Sequence, residues 1–206
     1  MSGSSYETLH SETVFAGRVL TVKVDEVAMP DGTAKREYVD HPGAVAVVAL
    51  GADDEVVLVE QYRYPVRQRL QELPAGLLDV DGEPALDAAQ RELFEEARVH
   101  AATWHVLVDL YTTPGMTDEA VRVYLARDLS EATDDYQAEH EEVELTVSRR
   151  PLTEAVEAVL AGQIGNGIAV AGLLAADHAR REGFAGLRAA DAPWAAKPGL
   201  AGPAGR

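Results

Sequence analysis

A chain of 206 residues is long enough for one full hydrophobic core plus an appendage, and too short for two large domains. With no cysteine it has no disulfide, zinc–thiolate or thiol chemistry, and its net charge of −17 argues against the basic footprint of a nucleic-acid binder. No apolar run approaches a membrane span and the first residues carry no basic–apolar leader, so the expected setting is cytoplasmic, away from any membrane.

Leu20, Val22 and Val24 alternate with Thr21, Lys23 and Asp25, the period of a half-buried strand. Pro30-Asp31-Gly32 signals a turn and Lys35 to Asp40 a returning strand. An antiparallel section therefore covers roughly 12–42, closed by His41-Pro42-Gly43. Ala44 to Leu50 is a continuous apolar run, as expected of a strand covered on both faces. Gly51 to Asp54 turns into another strand, Glu55 to Tyr64. After a central helix come strands at Trp104 to Tyr111 and Ala120 to Arg127, then a polar, acidic exposed loop at 128–141. Val143, Leu145 and Val147 alternate as a strand, and Thr153 to Ala161 and Asn166 to Arg181 read as helices. This order predicts an α/β fold, a mixed sheet sandwiched between helices. The expected divisions are an N-terminal β section at 1–42, a main α/β domain at 43–183 and a flexible Ala/Gly/Pro-rich tail at 184–206. Gly165-Asn166-Gly167 fails as a dinucleotide fingerprint, and the histidines show no His-Glu-x-x-His spacing.

Gly76 to Val99 carries the chemistry. Pro84 suits a helix start, and Leu86, Ala89, Leu93 and Ala97 recur at helical spacing toward a core. Glu92, Glu95 and Glu96 then fall at i, i+3 and i+4 on one face, where like charges cost a few tenths of a kcal/mol per pair. Alone, such a triplet reads as a solvated acidic face. Beside the turn-rich Leu73-Pro74-Ala75-Gly76, whose carbonyls can point at the same ion, and beside Arg91, it reads as a site for hard Mg²⁺ or Mn²⁺.

The segment resembles the Nudix box: a glycine, a glutamate, then Arg-Glu-aliphatic-x-Glu-Glu-x-Gly-aliphatic. Here Gly76, Glu83, Arg91, Glu92, Leu93, Glu95, Glu96 and Val99 fill the pattern. It departs twice. The Gly76–Glu83 spacing is one residue longer, and Arg98 replaces the closing glycine, where a positive φ costs a non-glycine residue about 1 kcal/mol.

Across roughly 12–182 the chain is similar to the ADP-ribose pyrophosphatase branch of that family, of actinobacterial type. Arg36-Glu37, Gln61-Tyr62-Arg63-Tyr64, Glu72 to Gly76, and Thr113 to Glu119 carry the likeness, with Pro114 as the usual discriminator of the branch. The resemblance implies a Nudix α/β/α sandwich and Mg²⁺-dependent hydrolysis of ADP-ribose to AMP and ribose 5-phosphate. It also implies a homodimer that exchanges its N-terminal strands, so that the partner's Arg36 and Glu37 complete each site. By that resemblance Glu92 and Glu96 are the main metal ligands, with Glu95 and the Ala75 carbonyl. Arg63, Glu72, Met116 and Thr117 contact substrate, and a loop glutamate, Glu141 or else Glu142, is the base. Without it, Arg36 and Glu37 read as an exposed strand pair, and Glu141 and Glu142 as part of a solvated acidic loop. NDP-sugars, a flavin dinucleotide or NADH are rival substrates, and a catalytically silent ADP-ribose-binding module is the rival class.

Overall fold

The computed structural model describes residues 6–133 and 145–200. In chain order the strands are β1 (Thr8–Ala16), β2 (Thr21–Met29), β3 (Gly32–Asp40), β4 (Ala44–Ala49), β5 (Glu55–Arg63), β6 (Gln68–Glu72), β7 (Ala75–Leu77), β8 (Val99–Tyr111), β9 (Ala120–Glu131), β10 (Thr146–Pro151) and β11 (Arg188–Ala189). Among the described residues three helices join them: α1 (Ala85–Ala97) between β7 and β8, then α2 (Leu152–Leu160) and α3 (Gly167–Arg181) after β10.

The centre is β4, whose apolar run leaves it buried along its whole length. It pairs in parallel with β9 and antiparallel with β7, inside a five-stranded mixed sheet of order β11-β8-β9-β4-β7. Alternation sends Ala46, Val48 and Leu50 to one face, with Leu152 of α2 and Leu173 of α3. Val45, Val47 and Ala49 go to the other, with Ala85, Ala89 and Leu93 of α1. Helices thus cover both faces of the sheet, the α/β sandwich expected from sequence. Each wholly buried Val or Leu contributes about 1.5–3 kcal/mol. A second sheet, β10-β5-β6, packs alongside. Close approach of α3 depends on Gly172, where a Cβ would lie 2.7 Å from Leu73 Cδ1.

The antiparallel sheet β1-β2-β3 stands apart from this core, with Val27 its one buried hydrophobic side chain. It is tied on by Val39, whose N–H donates to Met116 O at 2.9 Å and whose O accepts from Asp118 N–H at 3.3 Å. The His41 N–H donates to Asp118 Oδ1 at 2.8 Å. Leu9, Val14 and Phe15 of β1, and Val19 in the turn that follows, are each more than half exposed, unusual for a set of apolar residues on one small sheet and its turn.

Some boundaries move. Pro84 stands at the start of α1, as its N-cap. Strand β8 begins directly after α1, at Val99, and β9 continues to Glu131 into the stretch read as loop. Ala75–Leu77 is strand, because its pairing with β4 satisfies its backbone. Val143 lies outside the described residues. Residues 188–200, loose by composition, pack against the sheet: β11 pairs with β8, and Trp194 is 2% exposed. Among the described residues no helix is long and apolar enough to cross a membrane.

Candidate active site

Helix α1 runs past β7 with Glu92, Glu95 and Glu96 half-buried, Glu92 and Glu96 against that strand. Gly76 makes the approach possible. A Cβ there would lie 2.5 Å from Glu92 Cγ and closer still to its carboxyl group. Beyond Glu92, the next turn brings Glu96 to the same strand, where Oε2 accepts the Ala75 N–H at 2.9 Å. This bond uses the Ala75 N–H and ties Glu96 to the strand whose carbonyl is the expected ligand.

Arg91 organises the solvent side. Its Nε and Nη2 form a two-pronged pair with Glu83 at 3.0 Å each, while Nη1 reaches Glu92 Oε1 at 2.6 Å and Glu95 Oε2 at 2.9 Å. Hydrogen bonds to Glu83, with the charge of Glu92, raise its already high pKa. Close enough to act on Glu96, Glu72 is 2% exposed and pairs with Arg63 at 2.9 and 2.6 Å. Burial pushes Glu96 up to about 8; the nearby charges of Glu92 and Glu72 add to this, and the Ala75 N–H and Arg63 oppose it. Burial also raises Glu92, against the pull of Arg91.

Among the described residues no three acidic or histidine side chains converge on one point, since Glu92 and Glu95 turn to Arg91 and Glu96 to the backbone. The donor chemistry still fits a hard divalent cation. The oxygens are all carboxylate or backbone, and burial disfavours the charged forms of Glu96 and Glu92, a cost that a bound cation would offset.

A separate cavity of about 430 Å³ is lined by Arg36, Glu37, Tyr38, Tyr111, Met116 and Asp118, among others. It brings Arg36, Glu37, Met116 and Thr117 together, and no carboxylate of α1 lines it. The tyrosines were missed. Tyr38 follows Arg36 by one strand period, which places both on one face, and that was the available signal; Tyr111 comes from a distant strand end and offered none. Glu141 and Glu142 lie outside the described residues.

A NUDIX domain model matches residues 40–163, and a model of the nucleoside diphosphate sugar hydrolase N-terminal domain matches residues 6–39. An ADP-ribose pyrophosphatase of Mycobacterium tuberculosis is 48% identical over 199 residues, spanning 96% of this chain and 95% of its own length. An ADP-ribose pyrophosphatase of Bacillus subtilis is 40% identical over 131 residues, 63% of this chain and 70% of its own. A solved ADP compounds hydrolase overlays with a TM-score of 0.72 over 89% of this chain and 98% of that one, at 23% identity, a likeness of fold.

Proposed function

This chain belongs to the NUDIX domain family, and from that premise we propose that it hydrolyses the diphosphate of ADP-ribose to AMP and ribose 5-phosphate. The observation that carries the reading is the pair Glu92 and Glu96, held half-buried against Gly76 and Ala75 beside the Arg63–Glu72 pair. A pure binding module has no use for carboxylates so poorly solvated.

Glu92 and Glu96, with Glu95 and the Ala75 carbonyl, would hold Mg²⁺ or Mn²⁺. When bound, such a cation supplies positive charge to the diphosphate oxygens and acidifies water. Arg63, fixed by the buried Glu72, offers a guanidinium fork to a phosphate. Arg36 and Glu37 supply a donor and an acceptor for the adenine edge, with Met116 and Thr117 across the same cavity and Tyr38 and Tyr111 able to stack on the base. Glu141, or failing that Glu142, takes a proton from the water attacking phosphorus as the bridging P–O bond breaks. The α1 carboxylates and the Arg36 cavity are separate within one chain, and the N-terminal sheet leaves apolar side chains uncovered. Both features support a homodimer in which a second copy covers that sheet and joins the two half-sites.

The test is a substrate panel with Mg²⁺ (ADP-ribose, a GDP-sugar, a UDP-sugar, NADH and a flavin dinucleotide) scored by the nucleotide released. AMP release highest from ADP-ribose supports the reading. Preference for another NDP-sugar replaces it with the second reading, which the match of residues 6–39 favours. Tight ADP-ribose binding without AMP would leave only a sensor.

A further inference from the structure

Residues 188–200 do work that the carboxylate chemistry leaves unexplained. The wholly buried Arg122 anchors the segment's root. Its Nε and Nη2 donate to Asp109 at 2.8 and 3.1 Å, and its Nη1 and Nη2 donate to Ala192 O and Pro193 O at 2.7 and 3.1 Å. The guanidinium also sits 4.8 Å from the Trp194 ring centroid. Arg188 shares Asp109 at 2.6 Å. Trp194 then packs into the cluster formed by Ala85, Ala88, Ala89 and Leu93 of α1.

Past Trp194 the segment touches α1 on one side and the joint beside the Arg36 cavity, the chain's other half-site, on the other. Leu200 O accepts the Ala85 N–H at 3.1 Å, in the first turn of α1, where helix N–H groups lack internal partners. Lys197 Nζ donates to His41 O at 3.0 Å, and its Cε lies 3.1 Å from where a Cβ on Gly43 would stand. In a chain with 35 acids and 18 Lys and Arg, a half-buried lysine directed at a neutral carbonyl is informative. His41 is the joint of the N-terminal sheet, bonded to Asp118, which itself lines the Arg36 cavity.

We infer that residues 192–200 are a strap that sets the position of the substrate cavity relative to the carboxylate helix, with Lys197 as its positioning residue. The strap grips α1 at one point and the His41 joint at another, so loosening Lys197 frees the cavity while leaving α1 in place. This inference rests on the diphosphatase reading for its kinetic consequence, though not for its mechanical one.

The experiment uses the full chain as Lys197→Met and Lys197→Arg, with ADP-ribose and Mg²⁺, followed by amide exchange. Lys197→Met should raise KM about tenfold and hold kcat within about twofold, while Lys197→Arg restores KM. The amides of Val39, Asp40, His41 and Gly43 should exchange faster in the Met variant at an unchanged melting temperature. Wild-type KM and exchange in Lys197→Met would overturn the inference, and so would equal losses of kcat and melting temperature, which mark simple structural support. If the wild-type chain fails to cleave ADP-ribose, the diphosphatase reading falls alone, and exchange at 39–43 still decides the strap.

Discussion

Gly76 and Glu92 share one space: the glutamate side chain crosses the position that a Cβ on residue 76 would fill, with Cγ 2.5 Å from it. The glycine is therefore required by its missing side chain. The relationship links a strand residue and a helix residue sixteen positions apart in the box.

Gly76→Ala should force Glu92 aside. The overlap is with the carboxyl end of a flexible side chain, so a modest stability loss of about 1–3 kcal/mol is expected. Turnover should fall at least tenfold, because misplacement of a reacting group by about 1 Å is enough for that. Thermal unfolding and kcat, measured side by side, check it; normal turnover would show that the placement of Glu92 is irrelevant.

Glu96 gives the pH prediction. In the metal-free protein its pKa is raised to about 8 by burial, so the folded state prefers it protonated. Its contribution to stability is present at acid pH and is lost as pH rises from the ordinary glutamate range toward about 8. Glu96→Gln should flatten that slope in metal-free unfolding curves. In the wild type Mg²⁺ competes with the proton, so its affinity should increase up to about tenfold per pH unit below about 8 and level off above it. Titration calorimetry at pH 6 and pH 8 reads this directly, and Glu96→Gln should also lose nearly all turnover.

Arg91→Lys keeps the charge and loses the fork. The two-pronged contact to Glu83 and the bridge to Glu92 and Glu95 cannot all be made by one ammonium. A loss of about 1–3 kcal/mol is expected in denaturant unfolding.

Phe15→Asp places a charge on the uncovered N-terminal sheet, where Phe15 is 55% exposed. If a second copy covers that sheet, sedimentation should shift from dimer to monomer and activity should fall with it. A wild-type chain that sediments as a monomer at micromolar concentration removes the shared-site reading.

What was legible in the sequence follows local pattern. The seven-residue apolar run at Ala44–Leu50 announced a strand buried on both faces, and the helical spacing of Leu93 and Ala97 announced the inner face of α1. Partners distant in sequence were hidden. Trp194 and Lys197 sit in an Ala/Gly/Pro-rich stretch and draw their order from Arg122 and His41, far along the chain. Strand β7 is three residues long, and only its pairing with β4 reveals it. Arg98 takes the left-handed conformation, φ 56°, that the missing glycine would have accepted freely. Its guanidinium 4.0 Å over the Phe94 ring, worth about 0.5–1 kcal/mol, offsets part of that strain.

Arg91 has a consequence for how the protein is made. By binding Glu83, Glu92 and Glu95 at once, this guanidinium serves as a resident counter-ion for a crowded acidic face. The polypeptide can therefore complete its architecture before meeting any mineral ion, unlike small metal-folded domains whose apo forms are unstructured. A chelator should silence the catalyst while circular dichroism stays native, and re-adding Mg²⁺ should revive it without a refolding lag.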